Sequence, residues 1–279
     1  MNTGNTAFMM ICTALVFFMT PGLAFFYGGL VRRKNVCNTM MACVAIMGLS
    51  VLLWTMFGYS LSFGGNHAGI IGDFRWAFLN DVGWEAGPYA DTIPHLVFAA
   101  FQMMFAMITS ALITGAVVGR MRFKALFAFI ALWSFLVYYP MAHMVWGEGG
   151  FLAAIGSVDF AGGNVVHISS GVSALVLATY LGRKKGYEKT SYRIHNIPFV
   201  VLGASLKRTD TLVEKKFQNV GKILELSFVL KLKCYFCLCQ CHRHLLPYAL
   251  GTQQFSVSIC CPCGSLTHIV NTCHLFHKP

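Results

Sequence analysis

The sequence predicts an all-α protein, a polytopic bundle of membrane-spanning helices, on three observations. Of 279 residues, 56% are hydrophobic and only 11% charged, with a mean hydropathy of +0.62. A soluble domain carries roughly 25% charged residues, so lipid must solvate much of this surface. Crossing the hydrocarbon core takes about 20 apolar residues, and runs of that kind recur five times along the chain. The loops between the runs alternate in charge.

The first run, residues 6–31, ends at Arg32, Arg33 and Lys34. A signal peptide has basic residues ahead of a short apolar core. Here none precedes a long core with a basic stop behind it, so a retained span is expected. Residues 38–63 form the second run, and a Gly-rich polar segment follows. The third, 93–119, ends at Arg120, Arg122 and Lys124. Within it Gly115 and Gly119 make a GxxxG, a weak packing signal. The fourth run is 125–146. The fifth, 163–182, ends at Arg183, Lys184 and Lys185. A sixth begins at 196 and breaks off at Leu206.

Alternate loops are basic, the third of them also holding Lys189 and Arg193. The opposite loops hold Asp73, Asp81, Glu85, Asp91, Glu148 and Asp159, with Arg75 their sole basic residue. The positive-inside rule then places the N-terminus outside and the basic loops in the cytoplasm. The same bias accounts for the formal charge of +11. Nucleic-acid binding is not expected, because no basic face interleaved with aromatics is present.

Eight of the 11 cysteines lie beyond residue 233, whereas Cys12, Cys37 and Cys43 sit in apolar runs as expected small buried hydrophobes. The chain thus divides into a transmembrane domain, 1–206, and an unlike Cys/His-rich tail, 207–279. The tail has no apolar run long enough to span. Its Cys234, Cys237, Cys239, Cys241, His242 and His244 include enough soft ligands for zinc, but at crowded spacing. The favoured expectation is an unstructured tail without a metal.

Several polar and aromatic residues stand out in the spans. His167 lies inside the fifth run, where an ionisable side chain suggests a pathway; the alternative is a packing histidine. Asp159 precedes that run, about 12 Å from His167 if the intervening backbone were helical. It suits a helix cap, a cation-attracting mouth, or both. Trp146 ends the fourth run at the outer face. Phe101 and Phe105, four apart with Gln102 beside them, share a face of the third.

Four segments, TPGLAFFYGGLVRRKN (20–35), FQMMFA (101–106), AHMVWG (142–147) and DFAGGNVVHI (159–168), together resemble the ammonium transporter (Amt/Rh) family, in the family's order. The resemblance implies an inverted repeat of five plus five helices with a final one, of which 1–206 is the first repeat. It also implies a homotrimer in a plasma (inner) membrane and, for intact members, a PII-type regulatory partner. No cofactor and no enzymatic chemistry are implied.

By the same resemblance, Trp146 and Phe105 match aromatics that recruit ammonium at the outer face. Phe105 also matches the first of two gate phenylalanines. His167 matches the first of two pore histidines, Asp159 an acidic residue near the vestibule, and Gln102 a vestibule glutamine. Phe101 stands beside them on the third run. From Lys207 the sequence KRTDTLVEKKFQ departs from the family's continuing sixth span, as frame-shifted or spliced-in sequence would. Two other readings therefore stand beside ammonium transport: a truncated, transport-inactive subunit, and a membrane protein with a metal-binding tail.

The charge alternation predicts that a cysteine placed beside Asp81 reacts with an impermeant thiol reagent in intact cells. One beside Lys184 should react only after permeabilisation. The opposite labelling pattern would overturn the orientation.

Overall fold

The structure is a computed structural model that describes residues 1–182 and 194–207. The basic residues 183–193 and the tail from residue 208, with its Cys/His cluster, lie outside the described residues. Within them the spans are α1 (Thr3–Leu30), α2 (Val36–Leu53) running on into α3 (Tyr59–Phe63), α4 (His95–Val117), α5 (Phe123–Trp133) running on into α6 (Tyr139–Trp146), and α8 (Ser169–Leu181). A four-residue helix, α7 (Phe151–Ala154), lies between the fourth and fifth spans, and α9 (Ile197–Lys207) follows the fifth. Five helical segments are thus long and apolar enough to cross a membrane, as the sequence predicts.

At 28 residues α1 is about 42 Å long. It exceeds a hydrocarbon core of about 30 Å and must tilt or project. Its first turn is capped by Asn2, whose side chain accepts the Asn5 N–H at 3.1 Å. The Asn2 N–H in turn donates to the Thr92 carbonyl at 2.8 Å. That bond holds the chain start against a small antiparallel hairpin, β1 (Ala86–Gly87) and β2 (Ala90–Pro94), which leads into α4.

The core gathers on α4, which packs against α1, α2 and α8. Leu23, Tyr27, Cys43, Met107, Ala111 and Leu112 fill the contact. The Tyr27 hydroxyl donates across it to the Leu112 carbonyl at 3.0 Å. Buried hydroxyls on α4 bond back along their own helix, Ser110 to the Ala106 carbonyl at 3.0 Å for example, so they need no partner in lipid. Met10, Phe18, Met41, Leu52, Leu136, Val176 and Tyr180 point outward, as lipid-facing positions do.

Three spans contain a π-helical turn: Trp54–Gly58, Ser134–Tyr138 and Gly163–Ile168. The first two pack on each other. Trp54 stands 6.1 Å from Tyr139 and Phe57 the same distance from Phe135, ring centre to ring centre. Gly58 leaves room for Tyr139, since a Cβ there would lie 2.6 Å from its ring.

Two sequence expectations need correction. The α4 helix ends at Val117, and Gly119 sits beyond it in a turn at φ +66°, so the two glycines do not form a helical pair. Gly115 packs against the Tyr27 ring. Cys12 and Cys43 are buried, but Cys37 is exposed, because it lies in the first turn after the basic loop.

Helices α1 and α9 approach each other closely. A Cβ on Gly22 would stand 2.7 Å from the Leu206 Cβ, and one on Gly203 2.5 Å from the Gly22 carbonyl oxygen. Small residues of this kind let helices pack by dispersion where lipid supplies no hydrophobic drive. Gly203→Leu is therefore expected to separate α1 from α9 at a cost of about 1–3 kcal/mol. Gly48→Leu, where an added Cβ meets nothing within 4 Å, should be tolerated. Thermal unfolding of both variants in detergent checks this, and equal midpoints would refute the seam.

Candidate functional site

The site begins with a backbone problem. The fifth span opens at Gly163, and its first N–H groups have no intrahelical acceptor. Asp159 lies outside the helix, in a lead-in that turns at Gly162 with φ +86°, a conformation suited to glycine. That turn folds the carboxylate back under the helix start. Oδ1 accepts from the Gly162 and Gly163 N–H groups, both at 2.7 Å. Oδ2 accepts from Asn164 at 2.8 Å and Val165 at 3.0 Å. One anion thus answers four orphan donors at the positive end of the helix.

The same residue holds the aromatic. The Trp146 indole N–H donates to the Asp159 carbonyl at 2.9 Å. Its ring stands 6.0 Å from Phe105 at 65°, and Phe105 stands 5.1 Å from Phe101 at 84°. Both pairs are edge-to-face, the arrangement favoured by the ring quadrupole. All three rings are partly buried and pack on the core around α4. A cation arriving here would meet aromatic surface held in place by neighbours.

The structure therefore brings Phe101, Phe105, Trp146 and Asp159 into one connected group. Gln102 lies beside Phe101 on α4, and its Oε1 is buried without a hydrogen-bond partner among the described residues. His167 is half-buried within the π-turn that Asp159 caps, and that turn packs against α4 and α6. The backbone between Asp159 and His167 is not helical throughout, so the straight-helix separation expected from sequence does not apply. Asp159 fulfils the capping role with both oxygens. Among the described residues no group of three or more His, Cys, Asp or Glu side chains could hold a metal ion.

Sequence reasoning passed over the supports around this site. Tyr89 donates to the Phe63 carbonyl at 2.9 Å and accepts the Glu148 N–H at 3.1 Å, which ties the hairpin to the turn after α6. Burial pushes its phenol above the ordinary value. His143 and Asn66 join the same turn to the loop after α3. His143 lies inside the quoted AHMVWG segment, but its partners are far away in sequence.

Asp159→Ala should leave four N–H groups unanswered and release the Trp146 ring. The expected loss is about 2 kcal/mol or more of stability, with tryptophan emission shifted to the red. Asp159→Asn, which keeps an oxygen acceptor, should lose less. Thermal unfolding and emission spectra check both, and wild-type behaviour of the alanine variant would refute the cap.

Comparison with known proteins agrees with this architecture. The profile of the Ammonium Transporter Family matches residues 7–206. The chain is 50% identical over 206 residues to an ammonium transporter of Bacillus subtilis (strain 168), covering 74% of this chain and 50% of that protein. It is 46% identical over 227 residues to one from Mycobacterium tuberculosis (strain ATCC 25618 / H37Rv), covering 73% and 47%. Among solved structures, Mep2 of Saccharomyces cerevisiae matches with a TM-score of 0.66 at 32% identity, over 74% of this chain and 48% of that one. Mep2 of Candida albicans matches with a TM-score of 0.66 at 30% identity, over 73% and 46%. The chain spans about half the length of the curated relatives it matches. With five membrane-length helices and a profile match over most of its residues, this multi-pass membrane protein belongs to the Ammonium Transporter Family.

Proposed function

We propose that this chain serves the movement of ammonium or ammonia across a membrane. In this reading Trp146 and Phe105 recruit NH4+ at the outer mouth, with Phe101 and Gln102 beside them. Ammonia then passes His167 after the proton is lost. The supporting observation is the Phe105–Trp146 pair, 6.0 Å apart and fixed by the indole bond to Asp159 in a chain of this family. An aromatic face attracts a desolvated cation by up to about 2 kcal/mol. Further in, an apolar path penalises charge, which favours passage of the neutral form. A neutral imidazole can both donate and accept, so His167 suits a path for ammonia.

The reading extends to the setting. The N-terminus lies outside and the basic loops face the cytoplasm of a plasma (inner) membrane. The assembly is a homotrimer, with a PII-type regulator as partner of intact members. The transmembrane domain ends at Leu206, with an unlike tail beyond. A second reading, a transport-inactive subunit that associates with intact relatives, draws on the half-length match.

Two measurements on the whole chain test these readings. In nanodiscs, methylammonium at constant ionic strength should give a saturable change in tryptophan emission that sodium does not. Trp146→Leu should abolish the change, and Phe105→Leu should weaken half-saturation about tenfold. In cells lacking ammonium transporters, methylammonium uptake should appear with the chain and fall in His167→Ala at equal protein level. Saturable binding without uptake supports the inactive subunit. Absence of both overturns ammonium recruitment.

A further inference from the structure

One buried side chain near the mouth has both of its polar atoms against acceptors. His143, in the outer part of α6, is fully enclosed. Its Nδ1 lies 3.1 Å from the Ser62 carbonyl oxygen, and its Nε2 lies 3.3 Å from Asn66 Oδ1. The orientation of the Asn66 amide is fixed by its other neighbours. Oδ1 accepts the Gly69 N–H at 2.7 Å, and Nδ2 donates to the Gly149 carbonyl at 2.9 Å. Turning the amide over would lose both bonds, so Nε2 faces an oxygen.

A neutral imidazole has one N–H. Donated to the nearer acceptor, Ser62, it leaves the Nε2 lone pair directed at the lone pairs of Asn66. A second proton converts that opposition into a charge-assisted hydrogen bond. Asn66 is also a joint. It holds Gly69 and Gly149, and the Phe151 N–H donates to the Gly69 carbonyl at 2.8 Å. Whatever tightens Asn66 therefore tightens the turn at 147–151, which follows Trp146 directly.

We propose that His143 is a proton-operated fastener: protonation closes its bond to Asn66 and locks the outer loop after α3 onto the turn behind Trp146. The titratable and charged groups of that loop are His67, Asp73 and Arg75. The elements packed on α6 add the phenols Tyr59 and Tyr138, together with His167 and Asp159, whose carboxylate is bound by four backbone donors. Bonding to the charged imidazole favours the locked form as pH falls and releases it as pH rises.

Hydrogen exchange at the Gly69 and Phe151 amides of the full chain in nanodiscs tests this. After correction for intrinsic rates, protection should rise about tenfold between pH 8 and pH 5. His143→Gln should flatten the profile, and His67→Gln should leave it in place. Asn66→Asp, which sets a carboxylate against the imidazole, should move the transition to higher pH and decides the matter if His143→Gln does not fold. A flat wild-type profile overturns the fastener, as does an unchanged transition in Asn66→Asp or a persisting one in folded His143→Gln. Exchange is read without ammonium, so the result is independent of the transport reading.

Discussion

Hydrocarbon offers a backbone N–H no partner, and the start of the fifth span shows how much follows from that constraint. Four donors have to be answered within the protein, and one carboxylate answers them all. The carboxylate reaches them only because Gly162 reverses the lead-in. Once Asp159 is fixed, its carbonyl becomes a rigid acceptor for the Trp146 indole. The π-turn it caps rests on α4 and α6, so helix start, lead-in and aromatic group behave as one unit. Replacing any member would disturb the others, which makes their individual energies non-additive.

The same economy recurs between the helices. Lipid is as apolar as the side chains, so the bundle gains little by hiding leucines from it. Stability then depends on close approach and on hydroxyls that satisfy themselves. Gly22, Gly29 and Gly203 let α1 and α9 meet almost backbone to backbone. Thr109, Ser110 and Thr114 are buried in α4 and bond to carbonyls of their own helix. A central span can thus carry polar atoms without exposing a polar face.

Much of the architecture was legible because hydropathy over twenty residues is a strong signal. Each of the five spans falls where composition puts it, with ends displaced by a few residues. The three π-turns were not legible, since helices apolar on nearly every side have no stripe whose phase could slip. Around the candidate site, Phe101 and Phe105 could be paired from their spacing of four. The tie from Trp146 to Asp159 crosses a loop and needed the fold. His143 was less accessible still, because Asn66 lies 77 residues away and no local pattern joins them. Gly115 and Gly119 show the opposite failure: a local pattern suggested a helical pair, and the helix ended between its two members.

The π-turns also give the spans a phase problem with a structural solution. A π-turn holds roughly one residue more than an α-turn, so side chains beyond it are rotated by about 100° from the α register. In the second and fourth spans that offset sets Tyr59 and Tyr139 against Trp54. The stretch before each π-turn keeps its own facing. Each of these spans is therefore two helices in sequence, aimed independently, and an indel of a single residue has a different meaning on either side of the joint. Removing one residue inside Trp54–Gly58 would restore an unbroken α-helix and swing the aromatics beyond it off their partners.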